Sequence, residues 1–527
     1  MSWPIYFKDR LTVSNPNSAV AIATLWTPKE TLEKLVDPND FYIAGQLYTK
    51  KGINYVLRNI LANPVITKLY LVGSDLMGSG EAFLRFMKDG IDDDYKVIGD
   101  DIAKIEKEIS REAIEAFRKN VDVIDMIGVE KLRDVQMRVA PFVPKGATLP
   151  WRPPEVFPDP PKADVQTFPS EVDCTKIRRP TIAEAYISIL KHVSMFGLES
   201  EAVINYVSDT SKTMKEMLNL TAVVTDEDPE NWNIPEYLPF SKEDLEKYFK
   251  GFFDPDPHTE DYTYGERLFN FAHDEIDELK EIYPWLKLER FDQFFTNGGF
   301  DQVAISIVRK LKGFKYDKGA IALLANPFTD VFPKRPPSKT PCLFLIQCQI
   351  YEGKLTLTAY FRSNDMYNAW PLNAFALRKL QSKIAEELAV EIGALITISN
   401  MAHIYEHNYQ DAKELYEKND KGYCEWDPRG NLSVMVENSD IVVRWMTPRG
   451  NEEIKEWRID GKKRNAARLI SFEIENGLAI STLGNALYIG RQLERAETAV
   501  KLGLKFTQDN SLEFDTMKTW KTKKKTN

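Results

Sequence analysis

Cysteine and histidine are both scarce in this chain of 527 residues, which has four of the first and five of the second. Cys174, Cys342, Cys348 and Cys424 are scattered and form no CxxC pair, which argues against a disulfide framework or a thiolate zinc site and for a reducing compartment. No histidine precedes His192, so the chain before that point offers no imidazole to a metal. No stretch approaches the roughly 18 consecutive apolar residues of a membrane span. Positive charge is also short: the formal net charge of −10 argues against a broad nucleic-acid or membrane surface. The first ten residues, Met1 to Arg10, lack a basic segment followed by an apolar run, so the expected location is cytoplasmic. A basic tail over residues 516–527, with Lys518, Lys521, Lys523 and Lys524, is the exception and reads as a short solvated end.

What remains is ordinary for a soluble globular protein, with 43% apolar and 28% charged residues and length for about three domains. Prolines cluster between Pro141 and Pro169, where missing backbone donors and fixed φ angles predict a semi-rigid linker. A second break is expected at Asp427-Pro428-Arg429-Gly430-Asn431, which carries turn chemistry. The expected organisation is therefore a first domain over 1–140, a linker over 141–174, a core over 175–425, a small α+β domain over 426–515 and the tail. Before the linker, strands Ala19–Leu25 and Lys68–Val72 alternate with amphipathic helices Thr49–Leu61 and Gly80–Lys88, the rhythm of an open α/β sheet. The loop Gly73-Ser74-Asp75 to Gly78-Ser79-Gly80 leads from strand to helix, and a glycine-rich turn that merely fits the chain is the simpler reading over anion binding.

The richest motif lies in the core. Pro341-Cys342-Leu343-Phe344 is followed by Arg362-Ser363-Asn364-Asp365, then by Trp370-Pro371-Leu372-Asn373, then by His403-Ile404-Tyr405. Taken singly, each residue has a bland reading: Cys342 as a small buried hydrophobe, His403 as a satisfied core histidine, Arg362 as an ion-pair partner. Their joint order and spacing resembles the catalytic half of thymidylate synthase, an α+β mixed-sheet fold. The resemblance implies that Cys342 is the nucleophile that adds to deoxyuridylate (dUMP), and that Arg362 and Ser363 hold its phosphate. It also implies that Asn373 reads the uracil edge, that His403 and Tyr405 bond the sugar hydroxyl, and that Asp365 holds the pterin of the one-carbon donor. Upstream, Asp301-Gln302 opens a helix as in that family, and Tyr264-Gly265 resembles a pair whose tyrosine helps remove the carbon-5 proton. Arg179 to Ala185 and Ser211-Lys212-Thr213 look like the short archaeal branch, with Lys212 implied at a phosphate loop; the family's helix-borne glutamate corresponds to Glu243 or Asp244.

Departures accompany the matches. Phe361 stands where the family usually has glutamine before the Arg-Ser pair. The two arginines that the family lends across its homodimer correspond to Lys318 and Gly319, which leaves one compact cation. The tryptophans that stack on folate have no counterpart before Tyr264.

Residues 15 to about 135, through Gly52 to Pro64 and Tyr70-Leu71-Val72-Gly73-Ser74-Asp75, resemble the soluble domain of the corrinoid-carrying subunit of tetrahydromethanopterin S-methyltransferase, which ligates its cobalt through a histidine. Here Leu76-Met77-Gly78-Ser79-Gly80 fills that loop, so no cobalt corrinoid is expected. Asn485 to Glu497 and Gly503 to Asp509 look like an uncharacterised domain joined to archaeal thymidylate-synthase-like chains. The implied activity is reductive methylation of dUMP by a methylene-tetrahydropterin of tetrahydromethanopterin or folate type, in a homodimer, with no metal, nucleic acid or membrane involved. The alternatives are a deoxyuridylate hydroxymethylase and a non-catalytic pterin- or nucleotide-binding assembly protein.

Overall fold

Short aliphatic runs that end in small residues build the first sheet. In the computed structural model, which describes residues 3–128, 149–160, 167–171, 173–201, 213–256, 262–272, 295–296, 299–326, 330, 340–420 and 427–512, it has five strands. These are β1 (Thr12–Val13), β2 (Val20–Ala23), β3 (Ile43–Gly45), β4 (Lys68–Gly73) and β5 (Asp122–Ile127), in the order β1-β3-β2-β4-β5. All pairs are parallel except β1 with β3. The expected strand Ala19–Leu25 is shorter because Leu25 takes a left-handed φ of 52° and turns the chain. Helices α1 (Lys29–Glu33), α2 (Ile53–Ala62), α3 (Ser79–Asp89) and α4 (Arg111–Asn120) connect the strands. Cores lie on both faces: Leu57, Phe83, Phe86 and Phe117 on one, Val20, Ile22, Phe41 and Val72 on the other. The connections from β2 and β4 run in opposite directions, so the crevice outside their carboxyl ends is the switch point of the sheet. The described part of the proline-rich stretch packs on α2: Trp151 N donates to Pro64 O at 2.9 Å, Arg58 donates to Phe157 O at 3.0 Å, and Phe157 is buried.

The larger sheet has eight strands. Its path is β11 (Ile321–Leu323), β12 (Leu343–Tyr351), β13 (Lys354–Phe361), β15 (Glu391–Tyr405), β8 (Thr213–Val224) and β6 (Lys176–Arg179), with β14 (Asn364–Asp365) on β15 and β7 (Leu198–Glu201) on β8. A separate short pair joins β9 (Phe295–Thr296) and β10 (Gly299–Phe300). Helices α5 (Ile182–Phe196), α6 (Lys242–Phe252), α7 (Tyr264–Phe269), α8 (Arg309–Gly313), α9 (Trp370–Leu388) and α10 (Tyr409–Asn419) complete this part. Alternation along β13 and β15 sends Leu357, Ala359, Phe361 and Leu395 into a core with Tyr186, Trp370 and Phe375, and leaves Thr358, Tyr360, Ile396 and Ile398 half-buried on the other face. The helix expected from Asp301-Gln302 opens as a π-helical stretch, Val303–Val308, before α8. Gln302 is held structurally, its amide nitrogen donating to Arg267 O at 2.8 Å and Leu323 O at 2.7 Å.

Residues 1–420 and 421–527 are two compact units. The second contains the antiparallel meander β16 (Asn431–Glu437), β17 (Asp440–Met446) and β18 (Glu453–Asp460), with α11 (Ala466–Asn476) and α12 (Leu483–Leu502). Trp457, Ile470, Leu493 and Ala496 form its core. The Asp427 turn is a polar hub: its carboxylate accepts from Arg429 N at 3.0 Å, Ser481 N at 2.7 Å and Thr482 N at 3.1 Å. Burial alone would raise that carboxyl, but these hydrogen bonds hold it below its ordinary value.

Candidate active site

The start of β12 and the end of β13 are register partners, Leu343 opposite Phe361, so the residues just outside the ladder meet. Arg362 N donates to Cys342 O at 2.9 Å. The guanidinium then folds over the strand entry, with Nε donating to Pro341 O at 3.1 Å and Nη2 to Thr340 O at 2.6 Å. Phe361, the departure noted in the sequence, is wholly buried core. Burial pushes the Cys342 thiol up, the Arg362 guanidinium pulls it down and the Asp365 carboxylate pushes it up again; the balance is upward. The thiol is therefore protonated at neutral pH, and nucleophilic attack requires a proton acceptor.

Parallel pairing of β14 with β15 sets Asp365 beside His403, and Met366 N donates to His403 O at 2.8 Å. The Asp365 carboxylate accepts from Tyr367 N at 2.9 Å, Asn368 N at 3.2 Å and Asn368 Nδ2 at 2.9 Å, which fixes it as a turn cap and leaves lone-pair capacity unused. Burial lowers the His403 imidazole, so the ring is neutral. Its Nδ1 lies 3.3 Å from Met401 O, while Nε2 is buried without a hydrogen-bond partner among the described residues. With the proton on Nδ1, Nε2 is a buried acceptor without a donor among the described residues, an arrangement that asks for a hydroxyl donor. Tyr405 lies edge-on to His403, ring centroids 4.7 Å apart, and stacks on His407 at 5.9 Å and 10°. Burial raises the Tyr405 phenol, Asp365 and Cys342 add to the rise, and Arg10 of the N-terminal domain opposes it.

Helix α9 begins with Trp370, whose indole donates to Thr397 Oγ1 at 2.9 Å, and carries Asn373 into the interior with 4% exposure. Asn373 Oδ1 accepts from Tyr248 OH at 2.6 Å. Tyr264 OH accepts from Leu343 N at 3.3 Å; burial raises its phenol, and Tyr262, Cys342 and Tyr248 add to the rise. Cys342, Arg362, Asp365, His403 and Tyr405 thus share one electrostatic neighbourhood, joined through Tyr248 and Tyr264 to Asn373. Ser363 is half-buried next to Arg362.

Lys318 is not part of this cluster. It is exposed, and its carbonyl accepts from Gln347, five residues into β12 and so roughly 16 Å of strand from Cys342. Lys212 lies outside the described residues. Of the two helix-borne acids, Glu243 is exposed, while Asp244 closes the capping box of α6 with Ser241. Tyr248 was missed: in Ser241 to Gly251 it reads as one more aromatic on the apolar stripe of a helix, and only its contact with Asn373 marks it.

The N-terminal crevice does not fit a histidine-anchored corrinoid. Ser79 is the first residue of α3 and its hydroxyl donates to Leu47 O at 2.6 Å. A Cβ at Gly80 would lie 2.8 Å from Ile127 and 3.0 Å from Leu25, so side chains already fill the helix start. Among the described residues no group of three or more metal-ligating side chains is found, and no helix is long and apolar enough to cross a membrane.

Three family models match the chain: the MtrA component of tetrahydromethanopterin S-methyltransferase over residues 1–148, thymidylate synthase over 214–436, and PterinBD-DUF4346 over 426–509. A protein of Methanothermobacter marburgensis named "Putative thymidylate synthase" is 32% identical over 186 residues, 35% of this chain and 69% of that protein. A protein of the same name from Methanosarcina mazei is 30% identical over 197 residues, 37% of this chain and 76% of its own length. Thermostable thymidylate synthase A from Bacillus subtilis superposes with a TM-score of 0.33 at 18% identity, over 49% of this chain and 88% of that one.

Proposed function

The chain belongs to the thymidylate synthase family, and from that premise we propose that it methylates dUMP reductively to thymidylate, with a methylene-tetrahydropterin as both carbon and hydride donor. The observation that carries the reading is the half-buried Cys342 held against Arg362, with the Nε2 of His403, unpaired among the described residues, and the oriented amide of Asn373 in the same neighbourhood. In this reading the Cys342 sulfur, once deprotonated, adds to carbon 6 of the uracil ring and makes carbon 5 nucleophilic. Carbon 5 then bonds to the donor's methylene carbon and loses its proton, with the Tyr264 and Tyr248 hydroxyls ordering that side of the site. Release of the pterin nitrogen and hydride transfer from the pterin complete the methyl group, and the cysteine leaves as the ring double bond re-forms. Arg362 and Ser363 take the phosphate, His403 Nε2 accepts from the sugar hydroxyl with Tyr405 beside it, and Asp365 offers its remaining lone pairs to the pterin.

The matches to a methanopterin-linked methyltransferase and to a domain named for pterin binding favour a pterin of the tetrahydromethanopterin type. The half-buried face of the larger sheet, with Thr358, Tyr360, Ile396 and Ile398, favours a homodimer in which Lys318 reaches the neighbouring nucleotide. The test is to mix the protein with dUMP labelled at carbon 5 and each methylene-tetrahydropterin, then follow proton release and identify the nucleotide. Thymidylate with a dihydropterin is expected. A hydroxymethyl nucleotide, or no release with any pterin, would contradict the reading.

A further inference from the structure

Two adjacent lysines of the N-terminal domain, in the short 3₁₀ turn Lys50–Gly52 that leads into α2, reach two different walls of the candidate active site. Lys50 Nζ lies 2.9 Å from Asp244 and 3.1 Å from Asp100, with 11% of its side chain exposed against 7% and 6% for the two carboxylates. Asp244 is the residue that closes the capping box of α6, so this bond holds the first turn of that helix. One turn further on, Tyr248 of the same helix sets the Asn373 amide. Lys51 Nζ donates to His407 O at 2.7 Å and lies 3.5 Å from Asp411. The His407 ring stacks on Tyr405, which in turn meets His403.

The other ion pairs of this joint, Lys51 with Asp411, Lys247 with Glu81 and Arg85 with Glu243, are partly open to solvent. Arg85 and Glu243 are 3.8 Å apart with side chains 41% and 77% exposed, and a pair that open adds little. The joint is tight at Gly78, which has a left-handed φ of +66° and where a Cβ would lie 2.6 Å from Asp244 Oδ1 and 3.4 Å from Lys50 Cε. Met77 beside it packs on the core of the larger sheet. The N-terminal domain therefore meets the synthase core through the mostly buried Lys50 and the half-exposed Lys51; the first leads through Asp244 and Tyr248 to Asn373, and the second through His407 to Tyr405.

We infer that Lys50 and Lys51 are positioning residues for the nucleotide site, Lys50 setting the base-reading Asn373 through α6 and Tyr248, and Lys51 setting the sugar-side Tyr405 through His407. The inference rests on the proposed function and gives the N-terminal domain a part in it that needs no cofactor of its own. Small displacements of binding groups change affinity and rate steeply, and coupling through one packed neighbour alters binding by roughly 2-fold to 30-fold.

The test uses the full chain. Lys51→Ala removes a half-exposed side chain and should fold normally, raising the Kd and KM for dUMP about fivefold to tenfold with kcat nearly unchanged. Lys51→Arg, which keeps the donor and the charge, should restore most of the loss. Lys50→Met combined with Asp100→Asn, which avoids leaving two buried carboxylates facing each other, should cut the preference for dUMP over dCMP about tenfold. Wild-type protein that binds dUMP, with Lys51→Ala and the combined Lys50→Met, Asp100→Asn variant each matching it in affinity and base preference, would overturn the clamp alone. Wild-type protein that binds no dUMP would remove the reading of the site, and the clamp with it.

Discussion

The two larger sheets of residues 1–420 present their polar loops in opposite ways. Around the carboxyl ends of β2 and β4 the N-terminal domain satisfies itself: Ser79 donates to Leu47 O at 2.6 Å, Asp75 accepts from Glu81 N at 3.0 Å, and Thr27 Oγ1 accepts from Ser74 N at 3.1 Å. Thr24 Oγ1 is the exception, buried without a partner among the described residues. At the synthase site His403 Nε2 is unpaired among the described residues, Asp365 keeps lone-pair capacity and a half-buried thiol sits beside a guanidinium. Buried polar groups left without partners cost stability, and they persist where a ligand completes them. The first crevice is largely self-satisfied, and the second keeps unpartnered polar capacity among the described residues.

Acid separates the two regions most strongly. Burial lowers the imidazoles of His192, His403 and His407, the last to about 3, whereas the N-terminal domain contains no histidine. A depressed folded value means that the unfolded chain takes up the proton first. The stability held by the neutral ring is complete above the unfolded value near 6.5 and is lost as pH falls from there toward 3, by up to about 1.4 kcal/mol per pH unit for His407. In the N-terminal domain, burial raises the carboxyls of Asp75 and Glu106, which has the opposite sign and favours the fold as pH falls; Asp100, held down against its burial by Lys50 and the Ala103 and Ile102 amides, works the other way. Hydrogen exchange from pH 7 to pH 4 should show β15 and α5 losing protection before β4 and α3. Uniform loss would break the contrast.

Paired substitutions sharpen it. Ser79→Ala should lower unfolding stability by about 1–3 kcal/mol, because Leu47 O is left unsatisfied, and should leave dUMP affinity unchanged. His403→Leu should cost little or no stability and weaken dUMP binding about tenfold. Denaturant titration and calorimetry of both variants check this, and a Ser79→Ala that weakens the nucleotide as much as His403→Leu would contradict it. A third substitution acts on base choice: Asn373→Asp should shift preference toward dCMP by about 1–3 kcal/mol, as one donor becomes an acceptor. Equal loss for dUMP and dCMP would mean that Asn373 does not read the base.

Sequence patterns went far where the signal was local. The spacing from Cys342 to Tyr405 located the residues that the strand register brings together, and apolar periodicity placed α3 and β4 within one residue at each end. Ends were misjudged where geometry overrode periodicity, at the left-handed Leu25 and at the π-helical opening after Gln302. The long-range joint was invisible. Lys50 meets Asp244 across 194 residues and Lys51 meets His407 across 356, and neither lysine differs in sequence from any other at the start of a helix. The proline-rich stretch reads as a spacer on composition, yet residues 149–160 are engaged by Pro64, Leu61 and Arg58. Proline restricts the backbone without deciding what the flanking Trp151 and Phe157 bury against.

The central claim is that Cys342 is a nucleophile toward a uracil nucleotide. Intact-protein and peptide mass spectrometry after incubation with 5-fluorodeoxyuridylate and a methylene-tetrahydropterin tests it most directly, because fluorine at carbon 5 cannot leave as the proton does and traps the covalent state. The account predicts one nucleotide and one pterin added to the peptide that contains Cys342, and none in Cys342→Ser. An unmodified wild-type chain, or the same adduct in Cys342→Ser, would contradict it.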